Sequence, residues 1–184
     1  MSTLPSVPVT LLNGEVLRIR PITPEDAGAL VEFHEQLSDR TIYFRHFAAR
    51  PHLSDPEVTR FTTVDHLTRE AYVAVLRDRI IGVGRWDVVT PELAEVAFVV
   101  RDDYQGQGLG TVLFELLAQS AYNLGIRQFV ADMLPQNRGM VRLMEDYGNV
   151  TSRTNQNGVV EIVVDLREIS GPTLTRNTEG ECGG

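Results

Sequence analysis

Two groups of residues have the types and spacing to do chemistry, and both lie between Ala94 and Leu124. The first is one acid, Glu95, inside the run Ala-Glu-Val-Ala-Phe-Val-Val from 94 to 100. Strand alternation places Glu95 with Ala97 and Val99 on one face, and Val96, Phe98 and Val100 on the other. A glutamate in an apolar strand is costly unless it faces water or has a task. Partial desolvation is expected there, and it would suit the carboxylate to accept a proton. A salt bridge at the wet end of the strand is the structural alternative. The second group is the turn Gln105-Gly106-Gln107-Gly108-Leu109-Gly110, which opens into an apolar-periodic stretch. Glycines remove Cβ atoms and let backbone N–H groups converge. The first turn of the following helix adds unpaired N–H groups and the positive end of the helix dipole. Together these form a cradle for a phosphate or pyrophosphate. A plain glycine-capped strand–turn–helix connection is the alternative.

Three nucleotide-type motifs compete for this turn. A P-loop requires GxxxxGK[ST], and no lysine follows here. A dinucleotide fingerprint requires GxGxxG, and Gly106–Gly110 is one residue short. The turn resembles instead the Q/R-x-x-G-x-G/A signature of the GCN5-related N-acetyltransferases, the GNAT superfamily. Further segments carry the same resemblance, most closely to bacterial Pat-type protein lysine acetyltransferases. These are the Ala-Glu-Val-Ala-Phe pattern before the turn, Leu37-Ser38 followed by Tyr43-Phe44-Arg45-His46-Phe47, and the opening from Leu17 to Asp26. The likeness runs roughly from Val16 to Arg167, and its specific part is Glu95–Leu113.

The resemblance implies an α/β (α+β) GNAT fold, a mixed, mostly antiparallel twisted sheet with helices on both faces. It implies acetyl-CoA as co-substrate, held by Gln105, Gly106, Gln107, Gly108, Leu109, Gly110 and Thr111. It implies that the strand splays from its neighbour after Glu95. The freed amides of Phe98 and Val99, and also Val100, then hold the thioester carbonyl and the cofactor arm and stabilise the oxyanion. Asn137 matches an asparagine that contacts the arm; an N-cap role serves that residue equally well. Glu95 takes the general-base position, because an amine that arrives as ammonium must lose a proton before it attacks a thioester. Tyr43 and Arg45 are candidates for acceptor contact, with core packing and solvation as their ordinary roles. Tyr147 ends its helix and receives no role as general acid. The expected acceptor is a protein lysine. A small amine (polyamine, aminoglycoside or amino acid) is the alternative, and a non-catalytic CoA-binding regulatory module is a third reading.

The elements that must position these residues are legible in turn. Val7–Leu12 and Val16–Arg20 flank Asn13-Gly14, a two-residue hairpin signal. Thr23-Pro24-Glu25-Asp26 starts a helix that turns Ala27, Leu30, Val31, Phe33, His34 and Leu37 inward. Ser38 caps a short helix over 40–47, and Ser54 caps another running to Thr62. Strands follow at Glu70–Leu76, Ile80–Val88 and Leu93–Val100, with Asp78-Arg79 and Thr90-Pro91 as turns. The helix Leu109–Leu124 presents Leu113, Leu116, Leu117, Ser120 and Leu124 as its buried face and stops at Gly125. Gln128–Leu134 is a buried strand, parallel to the one before the helix. A helix after Asn137 and a hairpin around Asn157-Gly158 close the domain.

At 184 residues, 42% hydrophobic and with mean hydropathy −0.11, the chain suits one domain over 1–170 with a disordered tail over 171–184. A net charge of −8 argues against nucleic acid and would suit a cationic acceptor, though ordinary solubility explains it too. The single cysteine, Cys182, and the scattered His34, His46, His52 and His66 give no metal or disulfide pattern. No membrane span or signal peptide is read, so a cytoplasmic monomer or homodimer is expected.

Overall fold

A computed structural model of the protein describes residues 6–167. The expected tail at 171–184 and Cys182 lie outside the described residues. Eight strands form one sheet in the order β1-β2-β3-β4-β5-β6-β8-β7. These are β1 (Val7–Thr10), β2 (Val16–Pro21), β3 (Arg69–Leu76), β4 (Arg79–Thr90), β5 (Leu93–Val100), β6 (Gln128–Met133), β7 (Asn149–Gln156) and β8 (Val159–Asp165). Every neighbouring pair is antiparallel except β5 and β6. That exception follows from the helix between them, α4 (Leu109–Asn123), since a parallel return requires a crossover.

The sheet is covered on both faces. On one face α1 (Ala27–Glu35), α2 (Asp39–His46) and α3 (Asp55–Thr62) cover a core of Leu30, Phe33 and Ile42 against Ala71, Val73 and Val83, with Phe61 of α3 packed on it. On the other face α4 and α5 (Arg138–Tyr147) pack on Trp86, Val96, Phe129 and Ile162. The start of α1 carries the capping box expected of Thr23 and Asp26, and Arg20 grips the buried Asp26 carboxylate through two hydrogen bonds of 2.7 Å.

Several local expectations are corrected. The first hairpin closes through Leu11–Glu15 rather than a two-residue turn, because Leu11 drops into the core at 2% exposure. The turn between β3 and β4 is Arg77-Asp78, both at positive φ, with Arg79 already in the strand. Helix α4 buries more than one stripe: Leu109, Val112, Leu113, Phe114, Leu117, Ala118 and Ala121 are all inside, while Leu124 caps the end and is exposed. Gly84 on β4 explains how α4 sits so close, since a Cβ there would come within 2.8 Å of Leu117 and 3.0 Å of Phe98.

Ser120 lies on the inner side of α4 for a polar reason. Its hydroxyl accepts the indole N–H of the fully buried Trp86 at 3.0 Å and donates to the Leu117 carbonyl. Helix α2 is tied to the end of β5 by one carboxylate. Asp102 accepts the Ser38 N–H, the Ser38 hydroxyl and the Thr41 hydroxyl at 2.7–3.0 Å. Burial pushes that carboxyl up, and the three donors outweigh it and hold it below its ordinary range.

Two outcomes follow. Ser120→Ala leaves the Trp86 N–H buried without a partner, and chemical denaturation followed by fluorescence of this single tryptophan should show a loss of about 1–3 kcal/mol. The Asp102 tether is a depressed carboxylate, so its contribution is present above the unfolded carboxyl value near pH 4 and is lost as pH falls below it. Asp102→Asn should therefore cost about 1 kcal/mol at pH 7, given the partial exposure, and progressively less as pH falls below about 4.

Candidate functional site

The site begins where the sheet opens. β5 pairs with β6 only over Leu93–Glu95 against Gln128–Val130, while β5 itself runs on to Val100 and β6 to Met133. Past Glu95 the two strands part, as the resemblance implied. The cleft between them has a volume of about 890 Å³. β5 from Glu95 to Val100, the loop glycines and the start of α5 line it, with α2 over its mouth.

The register shows which backbone groups face the opening. β4 and β5 are antiparallel with Val83 opposite Val99 and Gly82 opposite Val100, and the Arg101 N–H bonds to the Ile81 carbonyl. Bonded pairs alternate in such a ladder, so 95, 97 and 99 are tied to β4, and 96, 98 and 100 turn their N–H and C=O groups toward the cleft. The freed amides are therefore those of Phe98 and Val100. Val99, expected to contribute its amide, sits on the wrong side of the pleat and lines the cleft by its side chain. The Val100 carbonyl is already occupied: the Gln105 side-chain amide donates to it at 3.0 Å and to the Thr41 hydroxyl at 3.3 Å.

The loop has the conformation an anion cradle needs. Gly106 and Gly108 stand at φ +72° and +85°, where a residue with a Cβ is strained. Gly108 is the N-cap of α4 and has no side chain to cap it, so the N–H groups of the first turn are not bonded within the helix. Gln105, Gly106, Gly108, Gly110 and Thr111 line the cleft. Gln107 and Leu109 are not part of that lining: the Gln107 carbonyl accepts the Leu12 N–H at 3.3 Å, and Leu109 is in the core at 1% exposure. Asn137 lines the cleft and also caps α5, its side chain accepting the Met140 N–H at 3.3 Å. The two roles expected of it are geometrically compatible.

Glu95 stands at the fork, and it is exposed. The expected burial is absent, because Glu95 lines the open cleft between the parting strands. Asp87 is its direct partner across the β4–β5 ladder, and Asp132 lines the same cleft from β6. Like charges placed opposite each other repel. The nearest compensation comes from Arg45, whose guanidinium is pushed down by burial and pulled back up by Glu95 and Asp87. Behind it, Arg85 is lowered to about 10 by burial and by the Arg45 charge, and it stacks on Phe61 at 4.2 Å. His46 is held near 4 by burial and by Arg45 and Arg50, so its imidazole is neutral at pH 7.

Of the two acceptor-side candidates, Arg45 lines the cleft and Tyr43 does not. Helical spacing puts Arg40, Thr41, Phe44 and Arg45 toward the cleft and leaves Tyr43 outside, 47% exposed. Sequence reasoning passed over Asp87 and Asp132. Asp132 carries the same signal that marked Glu95, an acid within an apolar strand run. Asp87 carries none, because its importance is cross-strand. Tyr147, from the end of α5, lines the cleft. Among the described residues no group of three or more His, Cys, Asp or Glu could hold a metal ion, and no helix is long and apolar enough to cross a membrane.

Comparison with known proteins agrees with this geometry. Residues 17–150 match the model of the acetyltransferase (GNAT) domain. Acetyltransferase Pat of Mycolicibacterium smegmatis is 32% identical, over 87% of this chain and 49% of that protein, so the chain spans about half the length of this relative. Acetyltransferase PA5475 of Pseudomonas aeruginosa is 30% identical, over 78% of this chain and 80% of its own length. The crystal structure of the GNAT domain of S. lividans PAT is similar with a TM-score of 0.81 and 37% identity, over 87% of this chain and 96% of that one. The chain belongs to the GNAT family of acetyltransferases, enzymes that draw their acyl group from acetyl-CoA.

Proposed function

We propose that the protein moves the acetyl group of acetyl-CoA to a primary amine by direct attack, with Glu95 as general base and a protein lysine as acceptor. The observation that carries this reading is the parting of β5 from β6 immediately after Glu95. It leaves one strand with a carboxylate at one end and an anion cradle at the other. Val100 lies five positions beyond Glu95, roughly 17 Å of strand along which the extended arm of CoA runs. The pyrophosphate rests on the amides from Gly106 to Thr111. Phe98 and Val100 turn their amides to the arm and the thioester carbonyl, polarising the carbonyl and stabilising the oxyanion as it forms. Glu95 takes the ammonium proton, directly or through a water. The free amine adds to the carbonyl carbon, the C–S bond breaks, CoA leaves as thiolate, and the proton shed by the new amide nitrogen passes through water to that thiolate to give the free thiol. The exposure of Glu95 leaves it open to water, which suits a base that works through a solvent molecule.

The lysine reading rests on the Pat-like residues around Glu95 and Tyr43–Phe47 and on the similarity to Pat over most of this chain. The residues from 1 to 170 are read as one catalytic domain. A free amino acid is the second reading, favoured by a small arginine-lined cavity that meets the cleft at Arg45, Ala97 and Val99.

The test uses labelled acetyl-CoA, the protein and a lysate of its source organism, separated by size. Label in a few protein bands, lost with Glu95→Gln, supports the lysine reading. Label confined to small molecules overturns it in favour of a metabolite acceptor. With a defined amine, Glu95→Gln should lower kcat by about 10²–10⁴ with acetyl-CoA affinity unchanged; an unimpaired variant removes Glu95 as the base. Gly108→Ala forces a Cβ at φ +85°, at a cost of about 1–2 kcal/mol, and should weaken acetyl-CoA binding at least tenfold by calorimetry.

A further inference from the structure

Beside Glu95 the acceptor face of the sheet holds a second, smaller cavity of about 50 Å³. It meets the main cleft at Arg45, Ala97 and Val99, which line both. Ala97 is two residues from Glu95 on the same face of β5, about 7 Å along the strand. Its methyl group leaves the passage open. Arg85 stands directly across the ladder from Ala97 and lines the cavity from β4, while Arg45 reaches it from α2. The rest of the wall is mostly apolar, with Leu30, Phe33 and Phe61 beside His34 and the uncharged His46.

The two guanidiniums are poorly satisfied within the protein. Arg45 makes no hydrogen bond and no close ion pair among the described residues; Glu95 and Asp87 act on it only through space. Arg85 donates one N–H to the Phe61 carbonyl at 2.9 Å. Asp87, the acid nearest Arg85 in the ladder, faces Arg60 at 3.7 Å. A guanidinium carries five donors, and those of the half-buried Arg45 and Arg85 that no protein atom meets stay open to water or a ligand. Two cations that repel each other in a partly desolvated cavity are costly to assemble. The complement of such a pair is an anion that accepts from both. A volume of about 50 Å³, against roughly 30 Å³ for one water in the liquid, admits a carboxylate and excludes a phosphorylated group or a whole side chain.

We infer that Arg45 and Arg85 hold a carboxylate of the acceptor, so that the amine acetylated at Glu95 belongs to a molecule with an acidic group several bonds away. This rests on the acetyl transfer at Glu95 proposed above and narrows its substrate class. The carboxylate belongs either to a free amino acid or to an acidic residue next to the target lysine in a polypeptide. Arg45 and Arg85 are specificity residues here. They bridge the acceptor's acid and leave the proton transfer to Glu95.

The experiment compares acceptors that differ only in that charge: lysine against lysinamide, and short peptides with lysine beside Asp against the same peptides with Asn. The wild-type enzyme should favour the acidic member of one pair at least tenfold in kcat/KM, and the pair that shows the preference identifies the source of the carboxylate. Arg45→Gln should bring the two members together, and Arg45→Lys should restore part of the gap; Arg85→Lys is the second variant, with thermal unfolding as the folding control. Binding of the acetylated products by calorimetry reads the same discrimination without turnover. Equal handling of acidic and neutral members by the wild type in both assays overturns the carboxylate subsite, and so does a preference that survives Arg45→Gln. Discrimination in product binding with no amine acetylated upholds the subsite and removes the transferase reading.

Discussion

The parting of β5 from β6 is the constraint on which the rest of the structure depends. In a continuous sheet, every inward N–H and C=O of β5 would be paired on both sides. Here pairing ends at Glu95 and Val130, and the groups of Phe98 and Val100 are left facing a cleft. Backbone polar groups left unpaired away from bulk water are expensive, so such a strand is stable only where water or a ligand meets it. The fold concentrates those groups at one place. β4 pairs along the whole of β5 on its other side, which keeps the open strand straight. The crossover through α4 supplies the helix N-terminus at the far end of the same opening.

Two side-chain devices hold the opening in shape. Gln105 takes up the one freed carbonyl at the end of β5 and links it to Thr41, and Asp102 gathers the N-terminus of α2 with three hydrogen bonds. Helix α2 is thereby fixed over the mouth of the cleft by groups that belong to the loop below it. That attachment is what brings Arg45 into range of Glu95. Ile42 is the one core side chain of this short polar helix, so its position depends on that attachment as well.

Around Glu95 the charges are balanced at a distance rather than in contact. Asp87 and Glu95 are opposed in the ladder, Asp132 lines the other side of the fork, and Arg45 and Arg85 stand among them without a bonded carboxylate. Close ion pairs would be more stabilising for the fold, and they would also be unavailable to a substrate. An arrangement of separated, partly wet charges leaves an acid to bind or deprotonate an ammonium and a cation pair to bind a carboxylate.

The glycine turn, the apolar strand with a single acid and the capped helices were readable from the sequence, because each is decided locally. Gly106 and Gly108 need positive φ, Ser38 and Asn137 cap the next turn, and Asn157-Gly158 turns a hairpin. The parallel pairing of β5 and β6 followed from the helix that separates them. What the sequence left open depended on neighbours distant in the chain. Glu95 looked desolvated in its own strand, and it is wet because β6 parts from β5 there and opens a cleft. Val99 looked equivalent to Phe98 until the register with β4 showed which amides were already bonded. Tyr43 and Arg45 lie two residues apart on α2, and only the docking of that helix through Asp102 decided which one faces the cleft. Local backbone preference thus specified the elements and the anion cradle, while strand register and helix docking, which are sums over distant contacts, decided which atoms meet the substrate.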